Sequence, residues 1–186
     1  MHEETSDEGL MLAWKDGDAA AFESLYGRYR RRLYRHLAQQ CGDPRLAEEL
    51  YQDIWLKVIA ARAGYQPLAR FSTWLFRIAH NRLLDHYRHH DRRLLTSYED
   101  DAELDAVPGP AGDDPARAAH RRELAERLAA ALGALPAPQR EAFLLAEEGG
   151  LSLEEIAAAT QVGRETVKSR LRYAMAKLRA ALEDLL

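Results

Sequence analysis

Polar and cationic side chains crowd one short stretch near the carboxyl terminus, where they could bind DNA. Arginine and lysine pair with phosphates and with guanine, and hydroxyl groups hydrogen-bond to bases or phosphates. If Val167 and Leu171 face a core at helical spacing, the residues between them point outward. We predict that DNA is contacted by Arg164, Glu165, Thr166, Lys168, Ser169 and Arg172.

The residues around this stretch have the pattern of a helix-turn-helix. Ser152 and Glu155 have the spacing of a capping box, which starts a helix that we expect to run to Thr160. A tight turn at 161–163 then leads into a long amphipathic helix that begins at Arg164 and carries apolar residues at 167, 171, 175, 178 and 182. In a helix-turn-helix the second helix enters the major groove. The alternative for this basic helix is an ordinary solvated face.

The net charge of −4 does not exclude nucleic acid, because the acidic excess is local. Residues 99–114 contain seven acidic side chains, no lysine or arginine, two prolines and two glycines. This composition is typical of a flexible linker. Outside it, basic residues cluster at 28–35, 62–93 and 164–179, as expected of phosphate-binding surfaces. We therefore predict a first domain at 1–98, an acidic linker at 99–114 and a second domain at 115–186.

Helical spacing of apolar residues and the lack of alternating segments predict an all-α fold in both domains. In the first domain we expect four helices, started by Ser6, Asp18, Asp43 and Ser72. Pro44 follows Asp43 at the first helical position, where proline is favoured. The second domain contains the helix-turn-helix, preceded by two helices that are separated by the proline-rich residues 135–138.

Several function classes are disfavoured by composition. No run of residues is long and apolar enough to span a membrane, and the acidic amino terminus does not resemble an export signal, so we expect a cytoplasmic protein. The single cysteine, Cys41, cannot form an intrachain disulfide or a cysteine-rich zinc site. We expect Cys41 to be a small buried residue, with a redox-sensing thiol as the alternative.

Four motifs together resemble one family. LSLEEIA at 151–157 and TVKSRL at 166–171 are similar to region 4 of the extracytoplasmic-function sigma factors, members of the sigma-70 family. In the first domain, DPRLAEELYQD at 43–53 resembles their region 2.2, and FSTWLFRIAHNR at 71–82 resembles their region 2.3. The resemblance covers nearly the whole chain except the linker. It implies a transcription initiation factor that performs no covalent chemistry and needs no cofactor or metal.

The resemblance also implies roles for individual residues. In the family, the surface at region 2.2 binds a coiled coil of the RNA polymerase largest subunit, a role that falls here on Glu48, Glu49, Gln52 and Asp53. Family members melt the −10 promoter element and hold an unstacked base between a loop and the region 2.3 helix. The residues that match, or that could stack bases and bind the backbone, are Tyr65, Phe71, Trp74, Arg77, Asn81, Arg82 and Arg88. The helix-turn-helix would bind the −35 element.

Three departures from the family pattern affect promoter choice. Residues 65–67 read Tyr-Gln-Pro where many members have Phe-Arg-Gly, which puts the identity of the captured base in question. Gln161 replaces the usual turn glycine, and it would cost about 1 kcal/mol if the left-handed conformation is kept. Glu165 stands where glycine is common, so the −35 sequence is expected to differ from the usual AAC-containing sites.

Two other functions fit parts of the sequence. His86 and His90, with Asp85 and Asp91 nearby, have a spacing that suits metal ligands on one helical face, but they lack the glutamate of an H-E-x-x-H site. A helix-turn-helix regulator that binds promoters without polymerase would have no use for the acidic helix at 48–53. The expected partners are core RNA polymerase, promoter DNA and, as the family implies, an anti-sigma protein.

Overall fold

A computed structural model describes residues 5–94 and 115–183, and the side chains of 5–88 and 121–183. These residues form helices and no strand, which confirms the all-α class. The helices are α1 (Asp7–Lys15), α2 (Ala19–Cys41), α3 (Pro44–Ala61), α4 (Phe71–Leu94), α5 (Pro115–Gly133), α6 (Ala137–Glu147), α7 (Leu153–Thr160) and α8 (Arg164–Leu182), with a 3₁₀ turn at Arg62–Gly64. The predicted linker, 99–114, lies outside the described residues. None of the described helices is both long and apolar enough to cross a membrane.

Local capping interactions start most of these helices where the sequence predicts. The side chains of Ser6, Asp18 and Asp43 accept hydrogen bonds from backbone N–H groups of the first turns of α1, α2 and α3, at 3.1, 2.9 and 2.8 Å. The capping box also forms: Ser152 accepts from the Glu155 N–H at 3.2 Å, and the Glu155 carboxylate accepts from the Ser152 N–H at 2.8 Å. Each cap satisfies backbone donors that a helix leaves unpaired.

The prediction that Ser72 caps α4 is wrong. The helix begins at Phe71, and Ser72 lies inside it, 3% exposed. The cap comes instead from Glu8 of α1, whose carboxylate accepts a hydrogen bond from the Phe71 N–H at 2.6 Å. A cap supplied from a distant part of the chain leaves no local signature near residue 71.

Helices α1 to α4 surround an apolar core whose largest members are fully buried. Met11, Leu33, Leu50, Ile54 and Leu75 all have 0% exposure. An aromatic group packs beside them on α1, α2 and α3, with ring centroids 4.5 to 6.0 Å apart: Trp14, Phe22, Tyr26 and Trp55. Burial of this many large side chains is the main source of stability for the first domain.

In the second domain, α5, α6 and α8 pack around a smaller apolar cluster. It contains Leu132, Leu144, Ala174 and Leu178, all at most 5% exposed. Met175, expected to face inward, is 42% exposed, because the buried stripe of α8 passes through Ala174. The stripe runs at 167, 171, 174 and 178, in steps of three and four that keep one face of a helix toward the core.

The helices on the two sides of the predicted linker, in the predicted first and second domains, are packed against each other through a shared core. Leu145, Leu151, Ile156 and Ala159 of the second domain belong to the same buried cluster as the core of α1 to α4. Helix α7 lies on α4, and α6 lies on α2. The interface is therefore apolar at its centre, and the first helix of the helix-turn-helix covers one side of α4.

Polar contacts surround this interface. Arg32 of α2 donates to the carbonyls of Glu148 and Gly149, just after α6, at 2.7 Å each. A cation is favourable here, because the last carbonyls of a helix are unpaired and carry partial negative charge. Gly150 has a φ of +61°, and a Cβ at this position would lie 2.7 Å from Nη2 of Arg32. Glycine thus permits both the turn and the approach of the arginine.

Further pairs join the domains along α4 and α2. His80 Nδ1 lies 2.5 Å from Glu141 Oε1, and the Thr73 hydroxyl donates to Glu155 at 3.1 Å. Arg35 pairs with the Glu148 carboxylate at 2.7 Å. Glu155 thus has two roles, since it completes the capping box of α7 and contacts α4.

We predict that Gln161→Gly stabilises the protein. Gln161 has φ 56° and ψ 36°, so it keeps the left-handed conformation in which a side chain is disfavoured. Glycine removes this cost, and the free energy of unfolding should rise by about 0.5 to 1 kcal/mol. Urea unfolding at pH 7 measures the change. A stability equal to or below that of the original protein would contradict it.

We also predict that His36 makes the protein acid-sensitive. The ring is fully buried against Phe76, neither ring nitrogen has a hydrogen-bond partner among the described residues, and burial lowers its pKa from 6.5 to about 4. Between these pH values the unfolded chain binds a proton that the folded chain does not. Stability should therefore fall by about 1.4 kcal/mol per pH unit as the pH drops below 6.5.

The matched variant is His36→Leu. It removes the titrating group and keeps an apolar side chain beside Phe76, so the loss of stability between pH 6.5 and 5 should be about 1.5 kcal/mol smaller than in the original protein. Urea unfolding at the two pH values gives the comparison. Equal losses in both proteins would show that His36 does not carry this acid sensitivity.

Candidate binding surfaces

The predicted acidic surface lies on α3 and is largely open to solvent. Glu48, Glu49 and Gln52 are exposed, and Asp53 is half-buried. The Gln52 amide donates to the Glu48 carboxylate at 3.0 Å, across one helical turn. The structure therefore brings these four residues together on one side of the helix, as their spacing predicts.

A cation within the protein compensates part of this acidic surface. Arg82 of α4 donates to one Asp53 oxygen from Nε at 2.8 Å and from Nη2 at 2.6 Å, and it lies 3.6 Å from Glu49. The side chain of Arg82 is only 17% exposed. Residues that the sequence assigns to two different surfaces thus form one ion-pair network, which offsets the like-charge repulsion between Glu49 and Asp53.

Two apolar residues that sequence reasoning missed extend the α3 surface. Leu56 is 62% exposed and Ile59 is 47% exposed, and they follow Gln52 by one and two turns. The signal was present in the sequence, because neither residue belongs to the core stripe of Leu50, Ile54 and Val58. We call Glu48, Glu49, Gln52, Asp53, Leu56 and Ile59 the α3 face. It is acidic at one end and apolar at the other.

A second surface runs along α4. Arg77, Asn81 and Arg88 are exposed, and Trp74 is half-buried at the start of the row. Their spacings of three, four and seven residues keep them on one side of the helix, beside the side covered by α7. We call these four residues the α4 face. It combines an aromatic surface, an amide and two cations, groups suited to bases and phosphates.

Two residues predicted for this surface lie in the core instead. Tyr65 is 3% exposed and Phe71 is 0% exposed. Their rings lie 5.1 and 5.7 Å from that of Trp74, so they support Trp74 from beneath. Burial also raises the pKa of the Tyr65 phenol to about 12, which keeps it neutral. Residues 66–70, which lie between Tyr65 and Phe71 in the chain, are exposed, with Leu68 at 87%.

The third surface is the start of α8. All six residues predicted to contact DNA are exposed: Arg164, Glu165, Thr166, Lys168, Ser169 and Arg172. In the structure Arg164 lies 2.5 Å from Glu154 of α7 and 3.1 Å from Glu165. Its hydrogen bond holds the pKa of Glu154 below the usual range. Binding of Arg164 to a DNA phosphate would replace the exposed ion pair with Glu154 by another exposed ion pair, at little cost in free energy.

Cys41 is a poor candidate for a reactive thiol. Burial, followed by the nearby Asp43, raises its pKa to about 12, so the nucleophilic thiolate is scarce near neutral pH. Within the described residues, no three histidine, cysteine or acidic side chains are grouped to hold a metal ion. The side chains of His90 and Asp91, part of the alternative metal site, lie outside the described set.

Comparison with known proteins assigns both halves of the chain. Residues 25–93 match the model of sigma-70 region 2, and residues 125–178 match that of sigma-70 region 4. The sigma factor CarQ of Myxococcus xanthus is 35% identical over 94% of this chain and 97% of its own length. CnrH of Cupriavidus metallidurans is 32% identical over 98% of this chain and 97% of its own. The chain belongs to the extracytoplasmic-function sigma factors of the sigma-70 family.

Solved sigma factors have the same fold. RpoE of Bartonella quintana, in complex with the anti-sigma factor NepR, superposes with a TM-score of 0.72 at 26% identity, covering 87% of this chain and 96% of that one. CnrH in complex with the cytosolic domain of CnrY gives 0.68 at 27% identity, over 96% and 97%. As a sigma factor, the protein directs transcription initiation, and its family consists of non-enzymatic initiation factors.

Proposed function

We propose that this sigma factor binds core RNA polymerase through the α3 face. The supporting observation is the exposure of Leu56 and Ile59 beside an acidic row on one helix. Exposed apolar side chains next to charges are typical of protein interfaces, where the apolar part supplies affinity and the charges supply orientation. The cation at Arg82 fixes Asp53 in place, which leaves Glu48 and Gln52 as the more adaptable polar contacts.

The α4 face then contacts the −10 element, and the start of α8 contacts the −35 element. On α4, the half-buried ring of Trp74 offers a stacking surface, Asn81 offers an amide to a base edge, and Arg77 and Arg88 bind the backbone. Tyr65 and Phe71 contribute by holding Trp74, and Arg82 contributes by linking α4 to the α3 face. On α8, the exposed cations and hydroxyls enter the major groove.

These assignments require the two domains to separate. The two promoter elements lie about 25 base pairs apart, which is about 85 Å of B-form DNA at about 3.4 Å per base pair. Thr73 and Glu155 are hydrogen-bonded across the interface. The path between the two DNA-binding surfaces therefore runs through this hydrogen bond. On the α4 side, Asn81 lies about 12 Å from Thr73. On the α8 side, Lys168 lies at most about 47 Å from Glu155, the length of a fully extended chain between them. We call the packing of the two domains seen in this structure the closed arrangement. In the closed arrangement the protein therefore cannot reach both elements at once.

We also propose that an anti-sigma protein regulates this chain in the cytoplasm. Support comes from the two solved relatives, which are complexes with the anti-sigma factor NepR and with the cytosolic domain of CnrY. The closed arrangement already keeps the two promoter-binding surfaces too close together for a promoter. A protein that stabilised it would prevent initiation without covering every DNA-binding residue.

A run-off transcription assay tests the assigned roles. We predict that Glu48→Lys and Leu56→Ser each weaken binding to core polymerase by about tenfold or more, which is about 1.4 kcal/mol, and reduce run-off transcripts accordingly. Both residues are exposed, so thermal stability should be unchanged. Fluorescence anisotropy with labelled sigma factor measures the affinity.

The control is Glu23→Lys, which reverses an exposed acid on α2 and should bind polymerase normally. If Glu48→Lys binds polymerase as well as Glu23→Lys does, the α3 face is not the docking surface. If the original protein binds promoter duplexes without polymerase and yields no transcripts with it, a stand-alone regulator replaces the sigma factor mechanism.

The closed arrangement gives a second prediction. Arg32→Ala removes two hydrogen bonds from a cation to the end of α6, so the interface should lose about 1.5 to 3 kcal/mol. Small-angle scattering should then show a larger radius of gyration than in the original protein. Arg31→Ala is the matched control, because Arg31 is the exposed neighbour on the same helix. Equal radii for the two variants would show that Arg32 does not hold the domains together.

A further inference from the structure

Helix α1 contacts both ends of the exposed segment that precedes α4. We call residues 65–70 the capture loop, because this segment matches the loop that holds an unstacked base in the family. At its far end, the Glu8 carboxylate accepts a hydrogen bond from the Phe71 N–H at 2.6 Å. At its near end, the Lys15 ammonium donates to the Tyr65 carbonyl at 2.9 Å. One short helix thus fixes where the capture loop begins and ends.

A further contact supports the end of the capture loop that Lys15 holds. The Arg62 guanidinium donates to the Lys15 carbonyl at 3.3 Å and lies 5.3 Å from the centre of the Trp14 ring. Arg62 belongs to the 3₁₀ turn that leads into the capture loop. Lys15 therefore donates a hydrogen bond to the start of the capture loop and accepts one from the turn that precedes it.

Helix α1 is itself firmly anchored, so it can act as a fixed support. Met11 is fully buried and Trp14 is 7% exposed. On the polar side, Asp7 pairs with Arg28 of α2 at 2.5 Å and accepts a hydrogen bond from the Tyr29 hydroxyl. These contacts do not involve the capture loop. The anchoring of α1 and its contacts to the loop are thus carried by different residues.

Between these two contacts the capture loop is exposed, and its last residue, Arg70, lies 3.5 Å from the Glu155 carboxylate of α7. Residues 66–70 are exposed, and Leu68 is 87% exposed. Fixing the backbone of a flexible segment costs about 1 to 2 kcal/mol per residue. A loop whose ends are already held has lost part of that freedom before DNA arrives, which favours binding.

We propose that Glu8 and Lys15 are positioning residues for promoter melting: they hold the ends of the capture loop in place so that it receives an unstacked base of the −10 strand. The inference rests on the proposed function and assigns a role in it to α1. Neither residue touches the DNA itself. Their effect acts on the melted strand and leaves polymerase docking and −35 binding unchanged.

The experiment uses the full-length chain assembled with core polymerase, on a promoter fragment that the original holoenzyme transcribes. Permanganate reactivity of thymines at the −10 element measures opening, and a single strand of the same −10 segment measures base capture. We expect Glu8→Ala and Lys15→Met each to reduce open complexes and single-strand affinity about tenfold. Affinity for core polymerase and for −35 duplex should stay unchanged.

Two comparisons separate positioning from general stability. Glu8→Gln keeps an oxygen that can accept from the Phe71 N–H, so it should restore most of the activity that Glu8→Ala loses. Leu144→Ala creates a cavity in the core of the second domain, far along the chain from the loop. At a temperature where it is folded, it should open the promoter like the original protein despite its lower stability.

Each outcome decides one point. If Glu8→Ala and Lys15→Met open the promoter normally, the positioning role is wrong and the proposed function stands. If they lose polymerase binding together with opening, α1 supports the whole domain and the specific role is also wrong. If the original holoenzyme transcribes no fragment, the proposed function fails and the inference fails with it.

Discussion

Burial of α7 and the end of α6 against the first domain is the constraint on which the rest of the structure depends. Leu145, Leu151 and Ile156 enter the core formed by α1 to α4, so two domains that could each bind DNA share one apolar interior. Arg32 strengthens this arrangement from the edge. Because the interface covers one side of α4 and the core covers another, Arg77, Asn81 and Arg88 lie on the part of its surface that stays exposed.

Charge is distributed so that some ionic groups are compensated inside the protein and others stay available. Arg82 compensates Asp53 and Glu49, and Arg32 compensates the end of α6. Glu48 and Arg77, in contrast, lie on exposed faces. The net charge of the chain conceals this division, since it averages compensated pairs, open surfaces and an acidic segment outside the described residues. Binding depends on the open surfaces, where a partner can replace water.

The aromatic residues divide in a similar way between support and contact. Tyr65 and Phe71 were predicted to face DNA, but their rings are buried beneath Trp74, which is left half-exposed. A buried ring loses no conformational entropy when a ligand binds, whereas an exposed ring must be held in position. The structure thus places Trp74, the proposed contact residue, on a rigid base. Composition and spacing could not separate these roles, because both kinds of position favour large aromatic side chains.

The sequence by itself determined the features that depend on near neighbours. Asp43 and Ser152 start helices through bonds to the next turn, and the exposed row on α8 follows from helical period. Only the tertiary structure decided the contacts between distant segments: the cap of α4 by Glu8, the pairing of Arg82 with Asp53, and the closure of the two domains. Such contacts depend on how helices pack, and their energy is too small and too non-local to leave a pattern in the order of residues.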